Sequence, residues 1–374
     1  MEDLYKSHSK ISLKQHNQIL PKKSMTMKKN PTKKQKPEHN AILWSPLSNT
    51  DHLLTTLSFF TGIGGLDKGA KKAGFTTLFQ TDIMKAAGDA FTLNKDNEIE
   101  YLKSEGVFAQ GLTAGNIEKL NFDHISDLVS THLKIQLMQG DIDVIHGGPP
   151  CQDISKCNNL RAVSSKKNQL IFELLRIIRE AKPKVGLIEQ VPDLKSWNYF
   201  KLWSEVKITL NRMTDYIWDY KVMDAANYGA RQSRRRLIIM LVRKDLGVPV
   251  SFPEPMPVDL DKVTVKKLLP EIHFFSPGQY ADDIKRADEN IFCTMTATGS
   301  EKAYGVDGKA KDFKMSERLV LTELEGVILK GVPVTWQKKL VGNMVQISLA
   351  ECLFNHIRSH ILERSLTGRL PQAA

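Results

Sequence analysis

The sequence predicts an α/β protein: an open, largely parallel sheet flanked by helices, followed by a second, smaller domain. Short apolar runs of strand character alternate with helix-compatible stretches between about residues 55 and 242. Gly62, Asp82, Cys151 and Glu189 each follow one of those runs. In a parallel sheet such positions share one edge, where open α/β sheets bind ligands. Residues 244–315 lose the alternation and carry four prolines between Pro249 and Pro257, which marks the change of domain.

The 374 residues and their 41% hydrophobic content suit about two domains with a proper core. The formal net charge of +11 points to an anionic partner, nucleic acid first. Much of it is local: residues 1–52 hold ten lysines and four acids with little apolar content, and read as a disordered basic tail. No run has signal-peptide character or the length to span a membrane. Four cysteines without a CxxC pair make neither a disulfide framework nor a zinc site, so no metal and a reducing cytoplasm are expected.

The first strand is Thr55–Phe60, β-branched and aromatic in content. The turn Thr61-Gly62-Ile63-Gly64-Gly65 follows, then a helix closing on Gly74. Strand, glycine turn and helix start together bring backbone N–H groups close to a bound cofactor. The second strand, Phe75–Gln80, leads to Asp82, placed where an acid holds ribose hydroxyls. Residues 94–140 are less readable and contain Gly115-Asn116. The run Ile142–Ile145 then meets Gly147-Gly148-Pro149-Pro150, which forbids both helix and further ladder pairing and sets Cys151 on a stiff loop.

Residues 156–169 are polar and read as a mobile loop. Leu170, Ile171, Leu174, Leu175 and Ile178 form a helix, and the strand Val185–Ile188 delivers Glu189. A helix near 196–213 places Trp197, Phe200, Trp203, Val206 and Leu210 on one face, read as core packing. Before the strand Leu237–Val242, an early strand start aligns Gln232, Arg234 and Arg236 on one face, suited to an anion or a base. Thr294, Thr296 and Thr298 alternate and are available to hydrogen-bond a partner. A helical pattern from Met315 ends near Gly331–Pro333, and Val341–Val345 opens a last helix running to about Glu363.

In this order the motifs resemble the cytosine-5 DNA methyltransferases over almost all of residues 55–360. Phe60-Thr61-Gly62-Ile63-Gly64-Gly65 is similar to their S-adenosylmethionine turn, and Gly148-Pro149-Pro150-Cys151-Gln152 with Ser155 to their catalytic loop. Glu189-Gln190-Val191 stands for Glu-Asn-Val, and Gln232, Arg234 and Arg236 for Gln-x-Arg-x-Arg. Thr322, Glu325, Leu329, Gly331 and Pro333 match the helix after target recognition, and Gly342-Asn343-x-Val345 the closing motif. The departures are Gln190 for asparagine, Ile154 for an aromatic, Asn116 for aspartate, Gln346 for proline, and an arginine displaced by one residue before Thr322.

The resemblance implies a Rossmann-like S-adenosylmethionine-dependent sheet with a small target-recognition domain. It implies methylation of carbon 5 of a flipped-out cytosine in a specific duplex DNA sequence. Cys151 is then the nucleophile at carbon 6 and Glu189 the proton partner at ring nitrogen 3, with Arg234 and Arg236 supplying positive charge. Phe60, Gly62, Gly64, Gly65, Asp82, Asn116, Pro149, Leu170 and Asn343 fall to the cofactor, and Gln152, Ser155 and Gln232 to the substrate. The expected organisation is tail 1–52, catalytic domain 53–243, recognition domain 244–337, returning helix 338–364 and tail 365–374. Gln279, Tyr280, Arg286, Thr296 and Tyr304 are base-reading candidates. A protein monomeric on DNA is expected, serving a restriction-modification system with a cognate endonuclease or acting as an orphan or phage modification enzyme. An RNA (tRNA) cytosine-5 methyltransferase shares every catalytic motif, but Ile291-Phe292-Cys293-Thr294 differs from the Cys-Phe-Thr of that branch. A nucleotide-dependent oxidoreductase explains Gly62 and Asp82 but not Cys151 and Glu189, and an inactive DNA-binding relative leaves the catalytic set without purpose.

Overall fold

Seven strands build the main sheet in the order β3-β2-β1-β4-β5-β7-β6. They are β1 (Thr55–Phe59), β2 (Thr76–Thr81), β3 (Phe108–Ala109), β4 (Val144–Gly147), β5 (Val185–Gln190), β6 (Tyr216–Asp224) and β7 (Arg235–Arg243). The first five are parallel, and β7 enters antiparallel between β5 and β6. In this computed structural model the described residues are 53–94, 108–109, 115–150, 166–277 and 283–367, all within one compact unit, 46–374. Cys151, Gln152, Ile154, Ser155, Gln279 and Tyr280 lie outside the described residues, as do the basic segment 1–52 and residues 156–165.

Both faces of the sheet are covered, which is why its strands read as continuous apolar runs rather than half-polar ones. In β7, Leu237, Ile239 and Leu241 face the layer of α4 (Leu170–Ala181) and α5 (Phe200–Asn211), whereas Ile238, Met240 and Val242 face the opposite layer. Those two helices follow α1 (Gly65–Lys72), α2 (Lys85–Leu93) and α3 (Phe122–Leu133). The opposite layer is α1 with α8 (Ile347–His356), where Ala70 meets Leu349, Leu353 and Phe354. A Cβ on Gly69 would stand 2.4 Å from Ala350 Cβ, so the glycine lets the two helices touch. At the strand starts, Asp143 accepts from Thr55 N at 2.8 Å and pairs with Lys184 at 2.7 Å, tying β1, β4 and β5 together below the edge that carries the chemistry.

A second, antiparallel sheet has the order β11-β10-β8-β9: β8 (Phe274–Ser276), β9 (Lys285–Arg286), β10 (Lys302–Tyr304) and β11 (Ala310–Asp312). Its core, with Phe275, Phe292, Ala303 and Phe313, includes Ala86, Ala87 and Ala90 of α2 and Leu340 of α7 (Val334–Asn343). Leu321 of α6 (Met315–Leu321) completes it. Arg318, the displaced arginine, is fully buried there and pairs with Glu301 at 3.0 Å.

Four expectations about local structure change. The helix expected near 196–213 begins only at Phe200, after the turn Trp197–Tyr199, and Trp197 and Phe200 are 87% and 59% exposed rather than in the core. The helix at Met315 stops at Leu321, well short of Gly331. Gly342-Asn343 closes α7 rather than opening the last helix, and α8 begins at Ile347 after a break at Met344. Thr294 donates to Ser233 O and Thr296 bonds Thr298, so these hydroxyls are engaged within the chain.

Candidate active site

The strand order reverses between β1 and β4, and the crevice beyond their C-terminal ends is where such sheets take ligands. Phe59 is opposite Gly147 there, and Gly147 opposite Ile188, so the glycine turn, the Gly-Pro-Pro segment and Glu189 emerge side by side. A Cβ on Gly147 would lie 2.6 Å from Phe59 O, so only glycine lets β4 run this close to the end of β1.

The turn after β1 coils tightly: Phe60, Gly62 and Gly64 have φ of 55°, 57° and 80°. Gly62 has nothing within 4 Å of the place a Cβ would take, and that open space suits close approach of a ligand. Asp82, beyond β2, accepts from Gly62 N at 2.8 Å and from Met84 N at 2.7 Å. Burial pushes its carboxyl pKa upward, and the two N–H groups oppose that shift. Each oxygen keeps a lone pair for a ribose hydroxyl. Asn116 begins a short turn at the same edge, with Oδ1 accepting from Glu118 N at 3.1 Å. Phe60 and Leu170 are half-buried against the core and Asn343 is exposed at the end of α7. Val345 O closes on Gly65, where a Cβ would sit 2.2 Å away, so the segment after α7 seals the start of α1. Open glycines and the Asp82 clasp fit an adenosine-bearing cofactor.

Glu189 is 7% exposed, and Arg236 Nε approaches its Oε1 to 2.6 Å. Its Oε2 lies 2.8 Å from where a Cβ on Gly148 would be, so the carboxylate rests against the loop backbone three residues before Cys151. The neighbouring Gln190 Nε2 donates to Pro149 O at 2.9 Å, so the longer amide arm grips the same loop.

Of the three aligned polar residues, Arg236 pairs with Glu189. Gln232 is fully buried and brackets the second core: Nε2 donates to Leu321 O at 3.1 Å and Oε1 accepts from Met295 N at 3.0 Å. Arg234 donates to Met295 O and Gly342 O, both at 2.9 Å. These two join the main sheet to the second one, a structural task that the sequence spacing did not disclose. Arg286 pairs with Asp288 at 2.9 Å and is largely exposed, and Tyr304 is half-buried in β10.

A switch-point crevice with a glycine turn, an acid clasp and a buried Glu–Arg pair over a Gly-Pro-Pro segment marks an α/β protein whose sheet edge suits a nucleoside-bearing ligand. Residues 54–273, more than half of the chain, match the family model of C-5 cytosine-specific DNA methylases, and the chain belongs to that family. It is 32% identical to the type II methyltransferase M.XorII of Xanthomonas oryzae over 202 residues, 53% of this chain and 42% of that protein. It is 28% identical to M.HhaI of Haemophilus parahaemolyticus over 224 residues, 59% of each. The match thus spans about two fifths of M.XorII and somewhat over half of M.HhaI. A prophage-encoded DNA modification methyltransferase of E. coli shares the fold, with a TM-score of 0.58 at 18% identity over 83% of this chain and 99% of the other.

Proposed function

We propose that the chain transfers a methyl group from S-adenosylmethionine to carbon 5 of a cytosine in duplex DNA. The observation that supports this most is the Glu189 carboxylate, fixed by Arg236 and set against the backbone of Gly148 at the root of the Cys151 loop. Family membership supports it further.

Carbon 5 of cytosine is a poor nucleophile, since attack through it disrupts the ring. In the proposed path the Cys151 thiolate adds to carbon 6 while Glu189 shares a proton with ring nitrogen 3, and the ring becomes an enamine. S-adenosylmethionine would supply an electrophilic sulfonium methyl group, which carbon 5 of the enamine takes as the sulfonium carbon–sulfur bond breaks and leaves a neutral thioether. The carbon 5 proton is then lost to a base or water, and the carbon–sulfur bond breaks to return the thiolate. Arg236 holds Glu189 in place and adds the positive charge that favours the thiolate. Gln190, through Pro149, limits how the loop presents Cys151. Gly62, Gly64 and Asp82 would hold the cofactor, and the cytosine must leave the helix at a cost of a few kcal/mol.

On this reading residues 53–243 with 338–364 carry the chemistry and 244–337 read the DNA. The type II names of M.XorII and M.HhaI favour a restriction-modification setting with a cognate endonuclease. The enzyme is proposed to act as a monomer in the cytoplasm; among the described residues no helix is long and apolar enough to cross a membrane. The test is transfer of a labelled methyl group to duplex DNA and to tRNA, followed by bisulfite sequencing. Wild type labels DNA, and Cys151→Ser does not. Full activity of Cys151→Ser, or labelling of tRNA alone, overturns the reading.

A further inference from the structure

Trp197 and Phe200 are stacked on each other in solvent, ring centroids 5.9 Å apart and planes 27° from parallel. The core beneath them is filled without their help by Tyr199, Leu202 and Trp203. Their place in the chain is specific. β5 ends at Gln190, and the turns Pro192–Lys195 and Trp197–Tyr199 carry the chain over the rim into α5. The pair therefore stands on the rim that bears Glu189 and the Gly-Pro-Pro loop. Its base is firm: Leu194 is 1% exposed, and Lys195 Nζ lies 4.3 Å above the Tyr220 ring. Between residues 192 and 201 there are two lysines, Lys195 and Lys201, both exposed, against one acid, Asp193.

We propose that the Trp197–Phe200 pair is a DNA-contact platform on which a nucleobase near the target cytosine stacks. This rests on the reading of the chain as a DNA methyltransferase. Taking a base out of the duplex leaves its neighbours with an unstacked face, and a rigid aromatic pair on the active-site rim supplies a partner for one. A nucleobase suits the patch better than a protein surface does. The patch is two flat rings bordered by exposed polar Asn198 and Lys201, far smaller than the roughly 800 Å² per partner of a stable protein interface. The nearby lysines match the charge of a phosphate backbone.

The test compares wild type, Trp197→Ala and Trp197→Phe on a labelled duplex containing the methylated sequence found by bisulfite mapping. Trp197→Ala should weaken DNA binding and raise the KM for DNA by about tenfold, the scale of losing one base–aromatic stack. The loss should be similar at low and high salt, because stacking releases no counterions, whereas Lys201→Ala should reduce the salt dependence. Wild-type tryptophan fluorescence should quench on adding DNA, and that quench should shrink in Trp197→Ala. Trp197→Phe should keep most of the affinity, and S-adenosylmethionine affinity and Tm should be unchanged throughout. Wild-type DNA affinity in Trp197→Ala, or a change of oligomeric state in its place, overturns the platform and leaves the methyltransferase reading intact. A wild-type protein that neither binds nor methylates duplex DNA overturns both.

Discussion

Gly148→Ala tests the proposed chemistry with one methyl group. Its Cβ would stand 2.8 Å from Glu189 Oε2, while the next Glu189 atoms, at 3.9 and 4.0 Å, are clear. Restoring an ordinary carbon–oxygen contact moves the oxygen by about 0.6 Å. Arg236 at 2.6 Å and burial of the side chain resist that movement. Gly148 is not among the residues with positive φ, so alanine meets no backbone penalty there. A displacement approaching 1 Å at a reacting group costs up to about a hundredfold in rate, so the single-turnover methylation rate should fall roughly 10- to 100-fold. Tm and S-adenosylmethionine affinity should hold. Gly147→Ala is the contrast, because its Cβ would meet backbone, Phe59 O at 2.6 Å, and stability should suffer first. A Gly148→Ala enzyme within threefold of the wild-type rate would refute the placement of Glu189 in the chemistry.

Gln190→Ala leaves the buried Pro149 carbonyl without its donor, which should cost about 1–3 kcal/mol in urea unfolding and slow methylation; unchanged stability would show that the bond is dispensable. Arg318→Met strands the fully buried Glu301 and should cost about 3–5 kcal/mol, partly recovered by adding Glu301→Gln; a loss under about 1 kcal/mol would contradict the pairing. Burial, with His360 stacked against it, pushes the His356 pKa down from 6.5 to about 4. The unfolded chain therefore binds a proton that the folded one refuses, and stability present above pH 6.5 drains as pH falls towards 4. His356→Gln should flatten that limb of a Tm-against-pH curve, and an unaltered limb would rule His356 out. Burial pushes the Cys293 thiol up to about 12 and raises that of Cys352, so iodoacetamide at pH 8 should spare both and label Cys151 on peptide mapping. Rapid labelling of Cys293, a half-buried thiol, would count against that upward shift.

The sheet and its chemical edge were legible because the signals are local. An apolar run punctuated by Gly-Gly-Pro-Pro can only be a strand that stops, and β4 does stop at Gly147. The partners of Arg234 were not legible, since they are main-chain carbonyls 61 and 108 residues away, and nothing in the spacing of Gln-x-Arg-x-Arg names them. Periodicity also overstated the buried face before α5, because Trp197 lies in a turn that does not continue the helix and Phe200 stands at its exposed first residue. The end of α7 followed the same rule. A Cβ on Gly342 would lie 2.4 Å from the backbone of Thr296 and Ala297, so the glycine answers to a distant loop segment and not to the start of a helix.

These distant joints bear on the chemistry. Gln232 and Arg234 bind the segment Phe292–Met295 and the end of α7, and β7 begins one residue after Arg234. Ser233 N donates to Phe292 O at 2.8 Å, and Thr294 Oγ1 returns a bond of 2.8 Å to Ser233 O, so the junction is held from both segments. Arg236, two residues beyond Arg234, is the one that pins Glu189. A shift of the second sheet therefore acts on a lever two residues long whose far end is the proposed proton partner. Substitutions at Gln232 or Arg234 should thus lower kcat through the set of Glu189.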